Sequence, residues 1–299
     1  MLLSGIHYNF SYAAEYPAYL GTTADALYLK AAVYALQYAW LIVWLTAASP
    51  GPYRTDTFGQ CREKISPVYA SVRCGKEGYW NDFLPVLDFS GVSSYCESIE
   101  SYVRSGMLYS SSELYLPVRL KPGGANTLEA LRKGIDHIEL RMLDLNPLET
   151  TGIALEDLRF LQLFLIWCSF FPEHVPDEKE QADAISNMKH AALFDERKIW
   201  IREGAVIKPV REAALEVLSE MAMYCIITAI RRASFATSLC GGSIRLIFPR
   251  MGWTGLSGRS WILPGKVLRP AVWTKNAFWI PSMTDGAGNR IRPWTCFAC

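Results

Sequence analysis

The sequence predicts an α+β fold: a mainly antiparallel sheet with one face open to a candidate site and helices packed on the other. Three stretches carry that reading, because in each of them apolar and chemically active side chains alternate with a period of two. In Gly134 to Pro147, Ile138, Leu140 and Met142 fall on one side and His137, Glu139 and Arg141 on the other. In Glu113 to Lys121, the polar side carries Glu113, Tyr115, Arg119 and Lys121, against Leu114, Leu116, Val118 and Leu120. In Ser4 to Phe10, Gly5, His7 and Asn9 oppose Ile6, Tyr8 and Phe10. A sheet with one packed face and one solvated face gives this alternation. A floor rich in His, Asn, Tyr, Glu and Arg suits a ligand site, although a surface strand with a cross-strand ion pair fits any one of these stretches equally well.

The remaining elements follow in chain order. Ala31 to Ala48 is an uncharged run of nearly bilayer-spanning length, but Gln37 and the small alanines favour a helix buried in a core, stopping at Ser49-Pro50-Gly51-Pro52. Tyr53 to Phe89 reads as loop with a short strand over Val68 to Arg73. Ser94 to Met107 is an amphipathic helix with Ile99, Tyr102, Val103 and Met107 inward and Glu97 and Glu100 outward. Asn126 and Glu129 have capping-box spacing, which predicts a short helix reaching about Lys133. Leucines 155, 158, 161 and 165 predict a core helix over Ile153 to Phe171. The charged start Asp177 to Gln181 opens another helix ending near Ala192, and Pro209 opens a last one over Pro209 to Tyr224. The charges of Asp177, Glu178, Lys179 and Glu180 read as a solvated face.

Composition divides the chain. At 299 residues, 51% hydrophobic and net charge +1, it reads as globular, with no signal peptide expected before the first strand. From Ile226 onward, however, there are ten Lys/Arg against the single acid Asp285, and half of the chain's ten Trp. The expected division is therefore 1–225 as the body and 226–299 as a basic, Trp- and Pro-rich tail, either disordered or the product of a shifted reading frame. A tail binding nucleic acid or an anionic membrane is the alternative; with no recognisable motif beside the charge, neither partner is expected. Of the eight cysteines, Cys296 and Cys299 make one C-x-x-C without a partner pair, a weak zinc signal, and Cys96 and Cys168 read as buried thiols. Reduced cysteines and no leader predict a cytoplasmic protein.

Four ordered blocks carry a resemblance: Leu3 to Ser11, Arg73 with Gly78-Tyr79, Glu113 to Arg119, and Ile138 to Pro147. Together they resemble the bacterial glutamate-cysteine ligase family over roughly residues 1 to 200. The resemblance implies a glutamine synthetase-like catalytic fold, incomplete here, because the family carries a substantial part before the His7 strand with acidic metal ligands and part of the nucleotide site. The chain is thus expected to be truncated at its N-terminus and to carry an atypical C-terminal tail.

The resemblance further implies ATP-dependent joining of the γ-carboxylate of L-glutamate to the amine of L-cysteine through an acyl phosphate, the first step of glutathione biosynthesis, with ATP and Mg2+ required. On it, Glu139 matches a metal ligand and His7 a histidine at the metal site, and Arg141 faces the transferred phosphate. Arg73 holds glutamate, Tyr79 lies at the amino-acid pocket, Tyr115 lies near the cysteine pocket, and Asn9 and Arg119 are lesser candidates. Without the resemblance, His7 reads as a hydrogen-bonded core histidine, Arg73 as a surface cation and Tyr115 as a strand aromatic. Cys74 departs from the family pattern after the arginine. Two alternatives stand beside the enzyme: a catalytically inactive amino-acid-binding remnant, and a body unrelated to the ligases whose basic tail does the binding.

Overall fold

The computed structural model describes residues 5–50, 68–78, 80–224, 262–263 and 266–267. The chain divides into two compact units, Met1–Gly242 and Ser243–Cys299. Of the second, the described part is a short antiparallel pair, Ile262–Leu263 with Lys266–Val267. The rest of the expected tail, including the C-x-x-C of Cys296 and Cys299, lies outside the described residues.

The first unit is mixed α+β. Its three-stranded antiparallel sheet has the order β1-β3-β2, with β1 at Ile6–Phe10, β2 at Val118–Lys121 and β3 at His137–Leu143. The central strand is the one whose alternation is clearest in sequence. Ile138, Leu140 and Met142 are buried, as are Val118 and Leu120 of β2. Each such aliphatic side chain taken out of water contributes on the order of 1.5–3 kcal/mol.

The predicted strand over Glu113 to Lys121 is shorter than expected. Ser111–Glu113 forms a 3-10 turn instead, and the ladder begins only at Val118, after Pro117, which has no N–H to give. The Pro117 carbonyl still accepts the Arg141 N–H at 2.8 Å, extending the pairing by one bond. The strand expected over Val68 to Arg73 is likewise absent. That segment makes isolated bridges, Ser49 with Ser71 and Tyr69 with Leu193, and otherwise turns.

The helix expected over Ala31 to Ala48 is two helices. After α1 (Tyr16–Tyr19) come α2 (Ala24–Gln37) and α3 (Ala39–Thr46), bent by 55° at Tyr38. No single described helix is long and apolar enough to cross a membrane. Tyr38 packs its ring on Trp167 and Phe171, 4.9 and 6.0 Å between centroids, so the bend serves the core. Helices α2 and α3 pack on the sheet's apolar face, and α6 (Leu155–Cys168) and α7 (Glu178–Ala191) pack on them in turn.

Two shorter helices lie on the way to β3. Helix α4 (Val92–Arg104) buries Tyr95, Cys96 and Ile99 but stops before Met107, which is exposed. Helix α5 (Leu128–Leu131) is capped by the Thr127 hydroxyl, which accepts from Ala130 N–H; Asn126, one residue earlier, instead accepts from Lys121 Nζ at 3.2 Å. In α7 the expected start is a full capping box, Asp177 accepting from Glu180 N–H while the Glu180 carboxylate accepts from Asp177 N–H. Two of those four charges therefore do capping work.

A hairpin the periodicity reading passed over follows. Strands β4 (Trp200–Glu203) and β5 (Val206–Pro209) are joined by Gly204-Ala205, with Gly204 at φ +61. A glycine with positive φ in a two-residue loop is a hairpin signal. Residues 210–224 are then helical, so Pro209 ends β5 rather than opening the helix.

Candidate active site

Each strand of the sheet contributes to one polar floor. Asn9 of β1 and Arg119 of β2 both stand opposite Glu139 of β3 in register, so the central carboxylate is flanked from both sides. Between Ile6 and Tyr8 the register shifts, which is where His7 lies. Such irregularities bend a strand and re-aim a side chain. Here His7 Nδ1 comes 3.1 Å from Glu139 Oε1. Lys121 Nζ lies 3.4 Å and Arg141 Nε 3.7 Å from the other oxygen, Oε2.

The entry to β3 is fixed by α2. Asp25 Oδ1 accepts the Ile135 N–H at 2.8 Å, and the Tyr28 hydroxyl donates to the Asp136 carbonyl at 2.6 Å. At the exit, Asp144 Oδ2 accepts from Ala48 N–H, Ser49 N–H and the Ser49 hydroxyl at 2.9, 3.1 and 2.8 Å. Strand β3 is thus tied at both ends to the helices behind it.

The floor is less open than the alternation suggests. The side chains of Glu139, Lys121 and Arg141 are 12, 13 and 20% exposed, whereas His7 is 41% exposed. Burial raises the Glu139 carboxyl, but Lys121, Arg141, His7 and Arg119 together outweigh it and hold the group below its ordinary range. Burial lowers His7, opposed by Glu139 and aided by Arg141 and Arg73, so the net shift is downward and the ring is mostly neutral at pH 7. Because an ionised carboxylate only accepts, the neutral ring donates from Nδ1, leaving the Nε2 lone pair free of this bond. Arg141 and Lys121 are also lowered, first by burial. One carboxylate among several cations makes the floor electropositive.

Arg73 reaches the same place from a different part of the chain. Its guanidinium donates to the Leu143 carbonyl at 2.9 Å, and the next residue, Cys74, donates its thiol to the Met142 carbonyl at 3.2 Å. Two consecutive side chains of the 68–78 segment thus hold two consecutive carbonyls at the end of β3. The departure at Cys74 therefore has a local purpose, and burial pushes that thiol up to about 12.

Six of the residues singled out from sequence come together: His7, Asn9, Arg73, Glu139 and Arg141 on or beside the floor, and Tyr115 within electrostatic reach of Arg141. Tyr79 lies outside the described residues. Arg119 is buried and gives its guanidinium to the Ser111 and Ser112 carbonyls, so it braces the 3-10 turn while its charge still reaches Glu139. Lys121 was overlooked as a site residue. Its signal was its place two residues beyond Arg119, on the same side of β2.

Among the described residues no three His, Cys, Asp or Glu side chains gather as metal ligands. Magnesium favours six oxygens. Glu139 is already engaged by His7, Lys121 and Arg141, so the described residues do not by themselves fit a resident magnesium ion.

Comparison with known proteins bears on this geometry. A model of the family described as "Glutamate-cysteine ligase" matches residues 101–191, the stretch from α4 through β2 and β3 to α7. Over these residues the chain belongs to the glutamate-cysteine ligase family. It is 35% identical over 211 residues to the "Glutathione biosynthesis bifunctional protein GshAB" of Listeria welshimeri, covering 64% of this chain and 27% of that protein. The namesake in Pasteurella multocida is 35% identical over 196 residues, covering 60% and 25%. The chain therefore spans about a quarter of the length of these curated members of the family.

Solved structures agree on the fold. The crystal structure of a bifunctional glutathione synthetase from Pasteurella multocida matches with a TM-score of 0.58 at 30% identity, over 73% of this chain and 28% of that one. The glutamate–cysteine ligase of Francisella tularensis, crystallised with AMP, matches at 0.61 and 19% identity, over 73% and 52%. At that identity the second likeness concerns the fold of the family alone.

Proposed function

We propose that this chain supplies the substrate floor for ATP-dependent joining of the γ-carboxylate of L-glutamate to the amine of L-cysteine. The observation that supports this reading is the Glu139 carboxylate set among Lys121, Arg141 and Arg119, all within the matched family stretch, with Arg73 in electrostatic reach of His7 and Arg141 beside it. In this chemistry the γ-phosphate of ATP passes to the glutamate side-chain carboxylate, and the acyl phosphate is attacked at carbon by the amine. The C–N bond forms, the bond to the phosphate oxygen breaks, and the amine gives up its proton. Charge builds on phosphate oxygens throughout, and preorganised cations are what such a step needs.

In this reading Arg141 meets the transferred phosphate and Arg73 holds the α-carboxylate of glutamate. Tyr115 and Asn9 contact the amino-acid substrates, with Tyr79 outside the described residues. His7 orients Glu139. A magnesium ion bound with the nucleotide would supply charge neutralisation at the phosphates, and Glu139 is the carboxylate on the floor that would face it. Residues 1–225 are assigned as the partial catalytic domain, on a glutamine synthetase-like sheet, and 226–299 as a separate tail. The free, buried thiols of Cys74, Cys96 and Cys168 support a cytoplasmic setting.

A second reading, an amino-acid-binding remnant without turnover, is favoured by the lack of a metal cluster among the described residues. One experiment separates the two. The purified 299-residue chain is titrated with L-glutamate and then assayed for phosphate release from ATP. Glutamate binding weakened about tenfold or more in R73Q, equivalent to about 1.4 kcal/mol, is expected. Turnover that needs both amino acids selects the enzyme, binding with little turnover selects the remnant, and no glutamate binding overturns both.

A further inference from the structure

Away from the floor, a cavity of about 230 Å³ lies between α7 and the 68–78 segment. Tyr69 and Lys76 line it from the segment, and Ile185, Ser186, Lys189 and His190 from the helix. Tyr69 and Ile185 are buried and give it an apolar wall. Gly75 keeps the Tyr69 ring in place, since a Cβ there would stand 2.6 Å from ring carbons.

The two lysines have no counter-charge among the described residues. Lys189 rests its ammonium over the Trp80 ring, 4.6 Å from the centroid, and Trp80 is itself held by donating Nε1–H to the Gly75 carbonyl at 2.7 Å. Burial and the neighbouring Lys76 both lower Lys189, and no acid opposes them. Asp183, the last acid along α7, is turned instead to Lys179 and Arg202 at 4.0 and 3.7 Å. Two like charges converging on a partly apolar hollow, with a cation–π contact in place of a carboxylate, is an arrangement completed by an anion.

We propose that this cavity binds a small organic phosphate, its phosphate between Lys76 and Lys189 and its apolar body against Tyr69 and Ile185. Lysine ammonium groups recognise phosphate as point charges, whereas planar carboxylates are better matched by an arginine fork. The ligand would seat on the same segment that carries Arg73 and Cys74, so its occupancy would bear on how firmly that segment is held to β3.

The test uses the full chain carrying R141Q, so that phosphate affinity of the floor does not mask the cavity. Phenyl phosphate is the probe, followed by calorimetry and tryptophan emission. Saturable binding is expected, at least about tenfold tighter than that of inorganic phosphate, with an emission change lost in W80F. K76Q/K189Q should weaken it at least about tenfold while keeping the thermal midpoint of the parent. If that pair does not fold, K76E, which alters an exposed lysine, should abolish binding. No saturable binding, equal affinity for inorganic phosphate, or unchanged affinity in the lysine variants would each overturn the proposal.

Discussion

The α-carbon of Gly5 faces the guanidinium of Arg73 so closely that a methyl group there would stand 2.3 Å from Cζ. The obstacle is the end of a flexible side chain rather than backbone, so the chain would fold around it by moving Arg73. G5A is therefore expected to lower stability by only about 1 kcal/mol, the worth of the bond from Arg73 to the Leu143 carbonyl. Glutamate affinity, by contrast, should fall about as far as in R73Q. Calorimetric binding beside thermal denaturation distinguishes the two effects, and a G5A chain that binds glutamate normally would remove Arg73 from the site.

The His7–Glu139 pair sets an acid limit. His7 is lowered from 6.5, so the unfolded chain binds its proton first as pH falls, and stability present above 6.5 is lost as pH drops through the folded value. Glu139 is lowered from 4.5 and contributes in the same direction at more acidic pH. The thermal midpoint of the native chain should therefore fall more steeply than that of H7Q once pH drops below 6.5. Parallel profiles would show that His7 titrates as in the unfolded chain.

Asp144 holds the exit of β3 through one oxygen, while Oδ1 is buried and has no partner among the described residues. D144A removes three bonds to a charged acceptor and strands two backbone N–H groups, a loss of roughly 3 kcal/mol in urea denaturation. D144N should lose less, since its amide oxygen can still accept. Equal stability of D144A and the native chain would show that Ser49 does not depend on this anchor.

Cys74 should be inert in the folded chain. Its thiol is buried, bonded to the Met142 carbonyl and pushed up to about 12, so almost no thiolate is present at neutral pH. Alkylation followed by peptide mass mapping should leave Cys74 unlabelled until denaturant is added. Rapid labelling of the native chain would mean that the 68–78 segment opens from β3.

The capping box of α7 offers a simpler check. D177A should cost about 1 kcal/mol, the usual worth of an N-cap side chain, with glutamate binding unchanged.

Much of this was legible before any coordinates. Alternation in β1 and β3 placed His7, Glu139 and Arg141 on one side because one face of the sheet is packed by helices, and a period of two records that directly. The misplaced parts fail for local physical reasons. Pro117 delays β2, the bend at Tyr38 answers to Trp167 and Phe171, and the β4–β5 hairpin has both faces largely exposed, so no buried side wrote a clear alternation into it. Arg119 lay on the expected side, yet whether it meets a ligand or braces a turn depends on Ser111 and Ser112, whose place the strand pattern does not contain.

The strand order β1-β3-β2 also governs how the chain acquires its floor. His7 and Glu139 are 132 positions apart, so their contact closes a loop through more than a hundred intervening residues, the slow kind of event in folding. On the ribosome, the first strand must wait beside its helices until residue 143 has emerged, and the floor is not assembled before then. Cleavage anywhere between β1 and β2 would leave the imidazole and the carboxylate on separate peptides, and complementation of such halves would report directly on whether β1 can find its place late.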